Sequence, residues 1–295
     1  MAGLKAGVIG FPVRHSVSPA MQQAAFDHLG LPVEYRAWEV RPEELGAFVG
    51  RLRAGGWLGV NVTIPHKEAV VPLLDDLAPE AAAVGAVNTV VAAGGRLTGH
   101  NTDVAGFLAG LPPGEDLAGG RALILGAGGA AAAVLFGLLG LGLAEIGVFN
   151  RRPGRAEGLV GRFSARNPAA RLRVVGEAEV CEYARSCVLV VNCTPVGTAG
   201  TPLAGRMPLA PECLAPGSLA YDLVYNPPET PWLRAARERG VRPISGLTML
   251  VHQGAAAFRL WTGREAPVGV MLEAARRALA EFNDASVSDG GRIPR

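Results

Sequence analysis

Three polar side chains in one short stretch of the chain have the chemistry of a binding or catalytic site. Gly59–Thr63 predicts a short buried strand, and Pro65 predicts that a helix begins directly after it, since a first helical residue needs no N–H. The strand end would present Asn61, Thr63 and Lys67 at the carboxyl edge where α/β sheets bind ligands. An amide, a hydroxyl and an amine together suit a small polyhydroxylated substrate. The alternative is an ordinary surface lysine.

A carboxylate that could pair with Lys67 comes from Asp103, in the first turn of a predicted helix that Asn101 or Thr102 caps. Acidic side chains interact favourably with the helix dipole in first turns, so a plain capping role is the alternative. Lys67 and Asp103 are the only cation–anion pair among the candidate loops. A lysine oriented by a neighbouring carboxylate predicts general acid–base catalysis.

Two hydroxyls and a further amide are candidates for substrate binding. Leu4–Gly10 predicts a first strand, and Ser16 and Ser18 lie in the loop that follows it. Ser18 is a plausible N-cap of the next helix, whereas no structural role is evident for Ser16. Hydroxyls two residues apart in an extended loop face one side and could bind a carboxylate or a diol. Asn88 enters from the start of a strand predicted over Gly85–Val91.

The composition predicts a layered α/β protein with two domains. The chain has 295 residues, of which 49% are hydrophobic and 6% aromatic. The formal net charge of +2 is close to balance, and no basic cluster with interleaved aromatic residues occurs, so nucleic acid is not expected as a partner. The N-terminal residues lead directly into a strand-like run without a signal peptide, which favours a cytoplasmic protein.

The cysteines favour free thiols in a reducing compartment. No C-x-x-C pair occurs, and no histidine lies at metal-ligand spacing from any of the four, which are Cys181, Cys187, Cys193 and Cys213. We therefore expect no metal site.

A glycine-rich turn divides an uncharged run over residues 122–144. The run is long enough for a membrane helix, but a turn within it indicates a buried strand followed by a helix, so no membrane span is expected. The strand is predicted over Arg121–Leu125, and a second strand over Glu145–Asn150. The turn has the G-x-G-x-x-A pattern that brings a dinucleotide pyrophosphate to a helix N-terminus.

The loop after Glu145–Asn150 distinguishes between two nicotinamide cofactors. NAD-binding proteins place Asp or Glu there to bind the ribose 2′-hydroxyl, whereas this loop holds Arg151, Arg152 and Arg155. Guanidinium groups bind phosphate, through two parallel hydrogen bonds where the geometry permits. The sequence therefore favours NADP over NAD, with a solvated basic turn as the alternative.

Two helices are predicted near the C-terminus. The first begins at Gly246 and places Met249 and Gln253 on one face, where they could touch a nicotinamide ring and a substrate hydroxyl. Met249 could equally be a core residue. The second is amphipathic and covers about Val268–Phe282.

Seven ordered blocks make the chain resemble the shikimate dehydrogenase family, over roughly residues 8–280. The blocks are Ser16–Pro19, Asn61–Lys67, Gly85–Thr89, Asn101–Asp103, Gly126–Ala130, Asn150–Arg155 and Gly246–Gly254. The ordered set is far more specific than any single block. The resemblance implies reversible, NADPH-dependent reduction of 3-dehydroshikimate to shikimate, in the pathway to chorismate and the aromatic amino acids.

The resemblance also implies roles for individual residues. Lys67 would be the general acid–base, with Asp103 as its partner, and the two serines would hold the substrate carboxylate. The implied substrate contacts are Ser16, Ser18, Asn61, Thr63, Lys67, Asn88, Asp103, Tyr225 and Gln253. The motifs and the resemblance together give these NADP contacts: Gly126, Ala127, Gly128, Gly129, Ala130, Asn150, Arg151, Arg152, Arg155, Thr194, Leu223, Gly246 and Met249.

The implied α/β fold has a substrate-binding domain over residues 1–103 with a mainly parallel sheet, and a Rossmann-like NADP-binding domain over 104–246. C-terminal helices over 247–282 return to the first domain, and we expect a disordered tail over 283–295. The sequence leaves a homodimer open. Two residues depart from the family pattern, Ala132 where a basic side chain is frequent and Arg152 where threonine is commoner. Both affect the expected NADP affinity.

Three alternatives to shikimate dehydrogenase are compatible with parts of the sequence. The nearest is a quinate/shikimate dehydrogenase of broader specificity, which the serine pair and the arginine loop disfavour without excluding. Methylenetetrahydrofolate dehydrogenases use Tyr-x-x-x-Lys, whereas Thr63 stands four residues before Lys67. A non-catalytic NADP-binding regulator belongs to a different class, and the presence of both Lys67 and Asp103 argues against it.

Overall fold

Two six-stranded sheets form the frame of this computed structural model, which describes residues 3–14 and 16–288. The chain divides by its contacts into two units, of which the first combines Met1–Gly106 with Val251–Arg295. The second unit is Phe107–Leu250. Within the described ranges, no helix is long and apolar enough to cross a membrane.

The first sheet is mainly parallel and includes one antiparallel hairpin. Its strands are β1 (Leu4–Gly10), β2 (Val33–Glu39), β3 (Trp57–Val62), β4 (Asp76–Leu77), β5 (Thr89–Ala93) and β6 (Arg96–His100), in the order β2-β1-β3-β5-β6-β4. β1 runs parallel to β2 and β3, whereas β5 is antiparallel to β3 and β6. Gly94 and Gly95 both have positive φ, which closes the tight turn between β5 and β6.

The second sheet is wholly parallel. Its strands are β7 (Arg121–Leu125), β8 (Glu145–Phe149), β9 (Leu172–Val174), β10 (Leu189–Asn192), β11 (Leu219–Asp222) and β12 (Arg242–Ser245), in the order β12-β11-β10-β7-β8-β9. The chain leaves β7 in one direction and returns to its other side at β10. The carboxyl ends of β7 and β10 therefore form a topological switch point, where open α/β sheets bind ligands.

Helices connect the strands of both sheets. They are α1 (Ser18–His28), α2 (Leu45–Arg53), α3 (His66–Ala69), α4 (Pro79–Val84), α5 (Asp103–Gly110), α6 (Gly129–Leu139), α7 (Pro153–Ser164), α8 (Val180–Arg185), α9 (Pro231–Glu238), α10 (Gly246–Thr262) and α11 (Val268–Ser288). The helix predicted at Pro65 is short, because α3 ends at Ala69. α11 continues through Ser288, beyond the predicted end at Phe282, so the start of the predicted tail is helical; residues 289–295 lie outside the described part.

The C-terminal helices pack on the first unit. The Phe258 ring of α10 lies 4.9 Å from the Phe26 ring of α1. Further along α10, the Trp261 indole N–H donates to the Val90 carbonyl at 3.0 Å. Gly59 leaves the space for this bond: a Cβ there would lie 2.0 Å from the Val90 oxygen and 2.5 Å from Nε1 of Trp261.

A disulfide corrects one prediction. Cys181 on α8 and Cys213 are bonded, with an S–S distance of 2.12 Å, so the expectation of four free thiols is wrong for these two residues. Motif spacing did not indicate the bond because it depends on tertiary packing, which brings α8 against the 3-10 turn Pro211–Cys213. Cys187 and Cys193 take no part in a disulfide. Burial raises the pKa of the Cys187 thiol to about 12, which makes it a poor nucleophile.

Gly59→Ala should destabilise the protein strongly, because the new Cβ meets backbone at a position with φ of +155°. We expect a loss of about 3 kcal/mol in the free energy of unfolding, measured by urea titration followed by tryptophan fluorescence. Gly46→Ala is the matched control, since Gly46 is exposed on α2 and a Cβ there meets no atom of the described structure within 4 Å. Equal stabilities of the two variants would contradict the role of Gly59.

Candidate active site

A largely buried ion pair joins the two residues that the sequence selected for proton transfer. Nζ of Lys67 lies 2.5 Å from Oδ2 of Asp103, and the side chains are 16% and 6% exposed. Lys67 is on α3, directly after β3, and Asp103 is the first residue of α5. The two elements thus bring together an ammonium and a carboxylate that lie 36 residues apart in the chain. A shielded pair of this kind can hold and transfer a proton.

The Asp103 backbone is held by the residue that the sequence proposed as a cap. Oδ1 of Asn101 accepts a hydrogen bond from the Asp103 N–H at 3.1 Å. The amide of Asn101 donates to the Ala86 carbonyl at 2.8 Å. Asn101 therefore attaches the start of α5 to the segment that precedes β5.

Asn88 fixes the second oxygen of the carboxylate. Its Nδ2 donates to Oδ1 of Asp103 at 2.8 Å, to Oγ1 of Thr102 at 2.9 Å and to Oε1 of Gln253 at 3.3 Å. Its Oδ1 accepts from the Thr102 N–H at 2.7 Å. The predicted residues Lys67, Asp103, Asn88 and Gln253 therefore form one connected group.

Asn61 is held by two residues that the sequence analysis did not select. The Tyr35 hydroxyl donates to Oδ1 of Asn61 at 2.7 Å, and Nδ2 of Asn61 donates to Oγ1 of Thr89 at 3.0 Å. Burial raises the pKa of the Tyr35 phenol well above its ordinary value, so the hydroxyl remains a donor. A signal for Tyr35 was available, because its position on the apolar face of β2 requires a buried partner for the hydroxyl.

The contacts of Ser16 and Ser18 differ from the structural roles expected from the sequence. Oγ of Ser16 accepts the Ser18 N–H at 3.2 Å, so Ser16 does have a structural role. Val17, and not Ser18, is the N-cap of α1, and Ser18 is the first helical residue. The Ser16 side chain, two residues before Ser18, thus binds an N–H that the start of the helix leaves free. Thr63 follows β3, and its N–H donates to the Ile9 carbonyl of the neighbouring β1 at 2.9 Å.

In the second unit, the glycine-rich turn has the backbone form that its sequence predicts. Gly126 has a φ of +115°, and a Cβ there would lie 3.2 Å from the Thr194 methyl. Gly128 is the N-cap of α6, and no side chain of the described ranges caps this helix. The predicted contacts Ala127, Gly129 and Ala130 complete the turn and the first residues of α6. Uncapped N–H groups beside a glycine turn fit a pyrophosphate.

The basic loop after β8 has guanidinium groups available for an anion. Nδ2 of Asn150 donates to the Arg152 carbonyl at 2.9 Å, which shapes the loop before α7. Arg151, Arg152 and Arg155 are exposed, and none of them pairs with a carboxylate within the part of the chain that the structure describes. The loop therefore fits the 2′-phosphate of NADP.

The remaining predicted cofactor residues lie near the ends of β10 and β11 and on α10. The Thr194 hydroxyl donates to Oδ1 of Asn192 at 2.6 Å. A Cβ on Gly246 would lie 2.4 Å from the Leu223 carbonyl oxygen, so only glycine fits there. Met249 is buried. Tyr225, predicted to bind substrate, follows β11 in the second unit and is half-buried.

A buried acid beside this group was missed by sequence reasoning. Asp222 accepts hydrogen bonds from Thr230, Asn192 and the Val224 N–H, and burial raises its pKa from 3.8 to about 6. The signal for it was an acidic residue ending the otherwise apolar strand β11.

Comparisons with known proteins agree over most of the chain. A family model described as the shikimate dehydrogenase substrate binding domain matches residues 8–90, and one for the shikimate 5′-dehydrogenase C-terminal domain matches residues 246–276. A shikimate dehydrogenase (NADP(+)) of Moorella thermoacetica is 48% identical over 274 residues, which cover 92% of each chain. One from Symbiobacterium thermophilum is 48% identical over 280 residues, covering 92% of this chain and 94% of the relative.

Solved structures are also similar to this chain over nearly its whole length. The shikimate 5-dehydrogenase of Thermus thermophilus, in complex with NADP(H) and shikimate, has a TM-score of 0.83 and 43% identity, with 93% of this chain and 99% of that chain covered. A quinate dehydrogenase of Corynebacterium glutamicum in complex with NAD has a TM-score of 0.84 and 33% identity, with 94% and 100% covered.

The pKa of Asp222 predicts how stability changes with pH. Because its folded-state pKa is raised from 3.8 to about 6, the protonated form favours folding; this contribution is complete below pH 3.8 and is lost as pH rises through 6. Asp222→Asn lacks that titration. The difference in free energy of unfolding between Asp222→Asn and the wild type should therefore shift in favour of the variant by about 2 kcal/mol between pH 4 and pH 7, measured by urea titration at each pH. A constant difference across this range would contradict the assignment.

Proposed function

The chain belongs to the shikimate dehydrogenase family, and we propose that it catalyses the reversible reduction of 3-dehydroshikimate to shikimate with NADPH. The observation that carries this proposal is the Lys67–Asp103 pair, which is largely shielded from water and whose carboxylate is held by Asn88. The complex of the Thermus thermophilus relative with NADP(H) and shikimate supports it, because nearly all of that chain is covered.

The first unit would bind the substrate. The carboxylate would lie at the serine pair Ser16 and Ser18, as the family resemblance implies. The ring hydroxyls would bind the other predicted contacts of this unit, which are Asn61, Thr63, Asn88 and Gln253. The role of Tyr225, a residue of the second unit, stays a prediction. Nδ2 of Asn88 carries two hydrogens but has three acceptors. The 3.3 Å bond to Gln253 is the longest of the three, so Gln253 can exchange it most easily for a substrate hydroxyl.

Lys67 would act as the general acid in the direction of reduction. Its Nζ gives a proton to the oxygen of the ketone as that oxygen gains charge, and it takes the proton back in the direction of oxidation. Asp103 would orient the amine, since both of its oxygens are engaged, Oδ2 by Lys67 and Oδ1 by Asn88. NADPH, when bound, supplies the hydride to the ketone carbon.

The second unit would hold NADP(H) at two places. The turn Gly126–Gly129 and the start of α6 would receive the pyrophosphate, and the loop Asn150–Arg155 would receive the 2′-phosphate. The unpaired guanidinium groups support NADP over NAD. A cytoplasmic location and a homodimer stay predictions.

Quinate is the second candidate substrate, favoured by the similarity to the Corynebacterium glutamicum quinate dehydrogenase. Initial rates with shikimate or quinate, each with NADP⁺ or NAD⁺, test both candidates. Turnover with shikimate and NADP⁺ alone supports the proposal. Comparable rates with quinate or NAD⁺ support the broader enzyme. A folded protein that binds NADP⁺ without turnover of either substrate would be a regulator.

Lys67→Ala should lower kcat for shikimate oxidation by about 10²–10⁴-fold, because it removes the general acid–base group. Circular dichroism should show an unchanged fold. Lys5→Ala is the matched control, since Lys5 is an exposed lysine of β1 in the same unit and should leave kcat unaltered. An unchanged kcat in Lys67→Ala would exclude the proposed mechanism.

Arg151→Ala and Arg155→Ala should each raise KM for NADP⁺, by about tenfold, while KM for NAD⁺ changes little. The reason is the loss of a charged hydrogen bond to the 2′-phosphate, which only NADP⁺ carries. Arg162→Ala, on an exposed position of α7, is the control. Parallel increases in KM for both cofactors would argue for a general effect on the loop.

A further inference from the structure

Two buried polar side chains, Asn192 at the end of β10 and Asp222 at the end of β11, form a row that joins neighbouring strand ends in the second unit. β10 lies between β7 and β11, and Asn192 is in register with both Leu125 and Asp222. Asn192 and Asp222 are both 0% exposed. Nδ2 of Asn192 donates to Oδ1 of Asp222 at 2.8 Å. The row lies at the switch point between β7 and β10, the edge at which such sheets bind ligands.

The other end of the Asn192 amide holds Thr194. Oδ1 of Asn192 accepts from the Thr194 hydroxyl at 2.6 Å and from the Thr194 N–H at 3.0 Å. The same hydroxyl accepts the Val196 N–H at 3.3 Å. The hydroxyl is thus engaged inside the protein, and the methyl group is the part of Thr194 that approaches Gly126.

Asp222 fixes which way the Asn192 amide points, together with the Val196 carbonyl, which also accepts from Nδ2 of Asn192, at 3.2 Å. A carboxylate only accepts hydrogen bonds, so it binds the NH₂ group and leaves the amide oxygen for Thr194. Thr230 donates to Oδ2 of Asp222 at 2.7 Å, and the Val224 N–H donates to Oδ1 at 3.1 Å. Asp222 also shapes its own strand end, because the Val224 bond closes a turn around Leu223.

Within the described part of the chain, the donors to this carboxylate are all neutral groups. Its hydrogen-bond donors are Asn192, Thr230 and the Val224 backbone, and none of them compensates its charge. Burial accordingly raises the pKa of Asp222, so the ionised form lowers stability at neutral pH. An asparagine of the same shape would avoid this penalty. Residues that reduce stability in this way are concentrated at functional sites.

We propose that Asp222 is a positioning residue for NADP(H): through Asn192 it holds Thr194 against Gly126 and keeps the glycine-rich turn in its binding form. This inference rests on the proposed function. Three predicted cofactor contacts support it, since Thr194 is held by the row, Leu223 lies within the Asp222 turn, and a Cβ on Gly246 would lie 2.8 Å from the Asp222 carbonyl oxygen.

The first test compares Asp222→Asn with the wild type in two measurements on the full chain at pH 7.5. Isothermal titration calorimetry with NADP⁺ alone should show a Kd raised about tenfold, since a charge-assisted bond that orients Asn192 is replaced by a neutral one. The thermal midpoint should rise, because the buried charge is gone. An unchanged Kd would overturn the proposal, whatever the thermal midpoint. If the midpoint also fell, the role of Asp222 would be merely structural.

The matched control is Asp116→Asn. Asp116 is exposed and accepts the Ala118 N–H at 3.0 Å, so it forms the same kind of turn without the buried row. Its Kd for NADP⁺ should equal that of the wild type. A Kd raised as in Asp222→Asn would attribute the effect to general charge loss and contradict the proposal.

A double-mutant cycle tests whether Asp222 acts through Thr194. Thr194→Val removes the hydroxyl and keeps the shape, so it breaks the side-chain bond to Asn192 and leaves only the bond from the Thr194 N–H. If the row transmits the effect, Asp222→Asn should weaken NADP⁺ binding little further in the Thr194→Val background. Fully additive effects on Kd would show that Asp222 acts by another route.

Kinetics separate this inference from the proposed function. In Asp222→Asn, KM for NADP⁺ should rise while KM for shikimate stays at the wild-type value. If the wild type binds NADP⁺ but does not oxidise shikimate, the proposed function fails and the comparison of Kd values still decides the role of Asp222.

Discussion

Removing an ammonium and a carboxylate from water costs several kcal/mol per ion, and the first unit places both at one point. The pair of Lys67 and Asp103 is stable there only because the remaining lone pairs of the carboxylate are also engaged. Asn88 binds its second oxygen, and Asn101 holds the backbone from which it projects.

Each neighbouring element supplies one member of the group. β3 leads to Lys67, and the hairpin of β5 and β6 places Asn88 before its first strand and Asp103 after its second. α10 brings Gln253 to Asn88, although the two residues are 165 positions apart. The return of the C-terminal helices to the first unit is therefore a condition for completing the group as well as for covering the core.

The second unit has to bring backbone close to a dinucleotide, and it does so with small residues. A dinucleotide requires close approach to backbone, so the turn after β7 consists of small residues with Gly126 at positive φ. Small residues do not hold a turn in place by packing. The adjacent strand ends provide the rigidity through buried polar groups, of which Asp222 reduces stability at neutral pH. At position 222, stability at neutral pH thus favours a neutral side chain, whereas the proposed role in cofactor binding favours the carboxylate.

Local patterns in the sequence determined much of this architecture. The limits of β1, the hairpin at Gly94 and Gly95, and the strand, turn and helix around Gly126 follow from periodicity and glycine placement, which act over a few residues. The pairing of Lys67 with Asp103 was also predictable, because each residue ends or begins a recognisable element.

Other contacts between distant segments were decided by the tertiary structure alone. The Cys181–Cys213 bond, the hydrogen bond from Tyr35 to Asn61, and the alignment of Asn192 with Asp222 depend on strand order and helix packing. Strand order and helix packing determine which side chains face each other, and the spacing of residues along the chain does not predict those pairs. A buried polar residue reveals its need for a partner in the sequence, but only the folded chain determines which partner satisfies it.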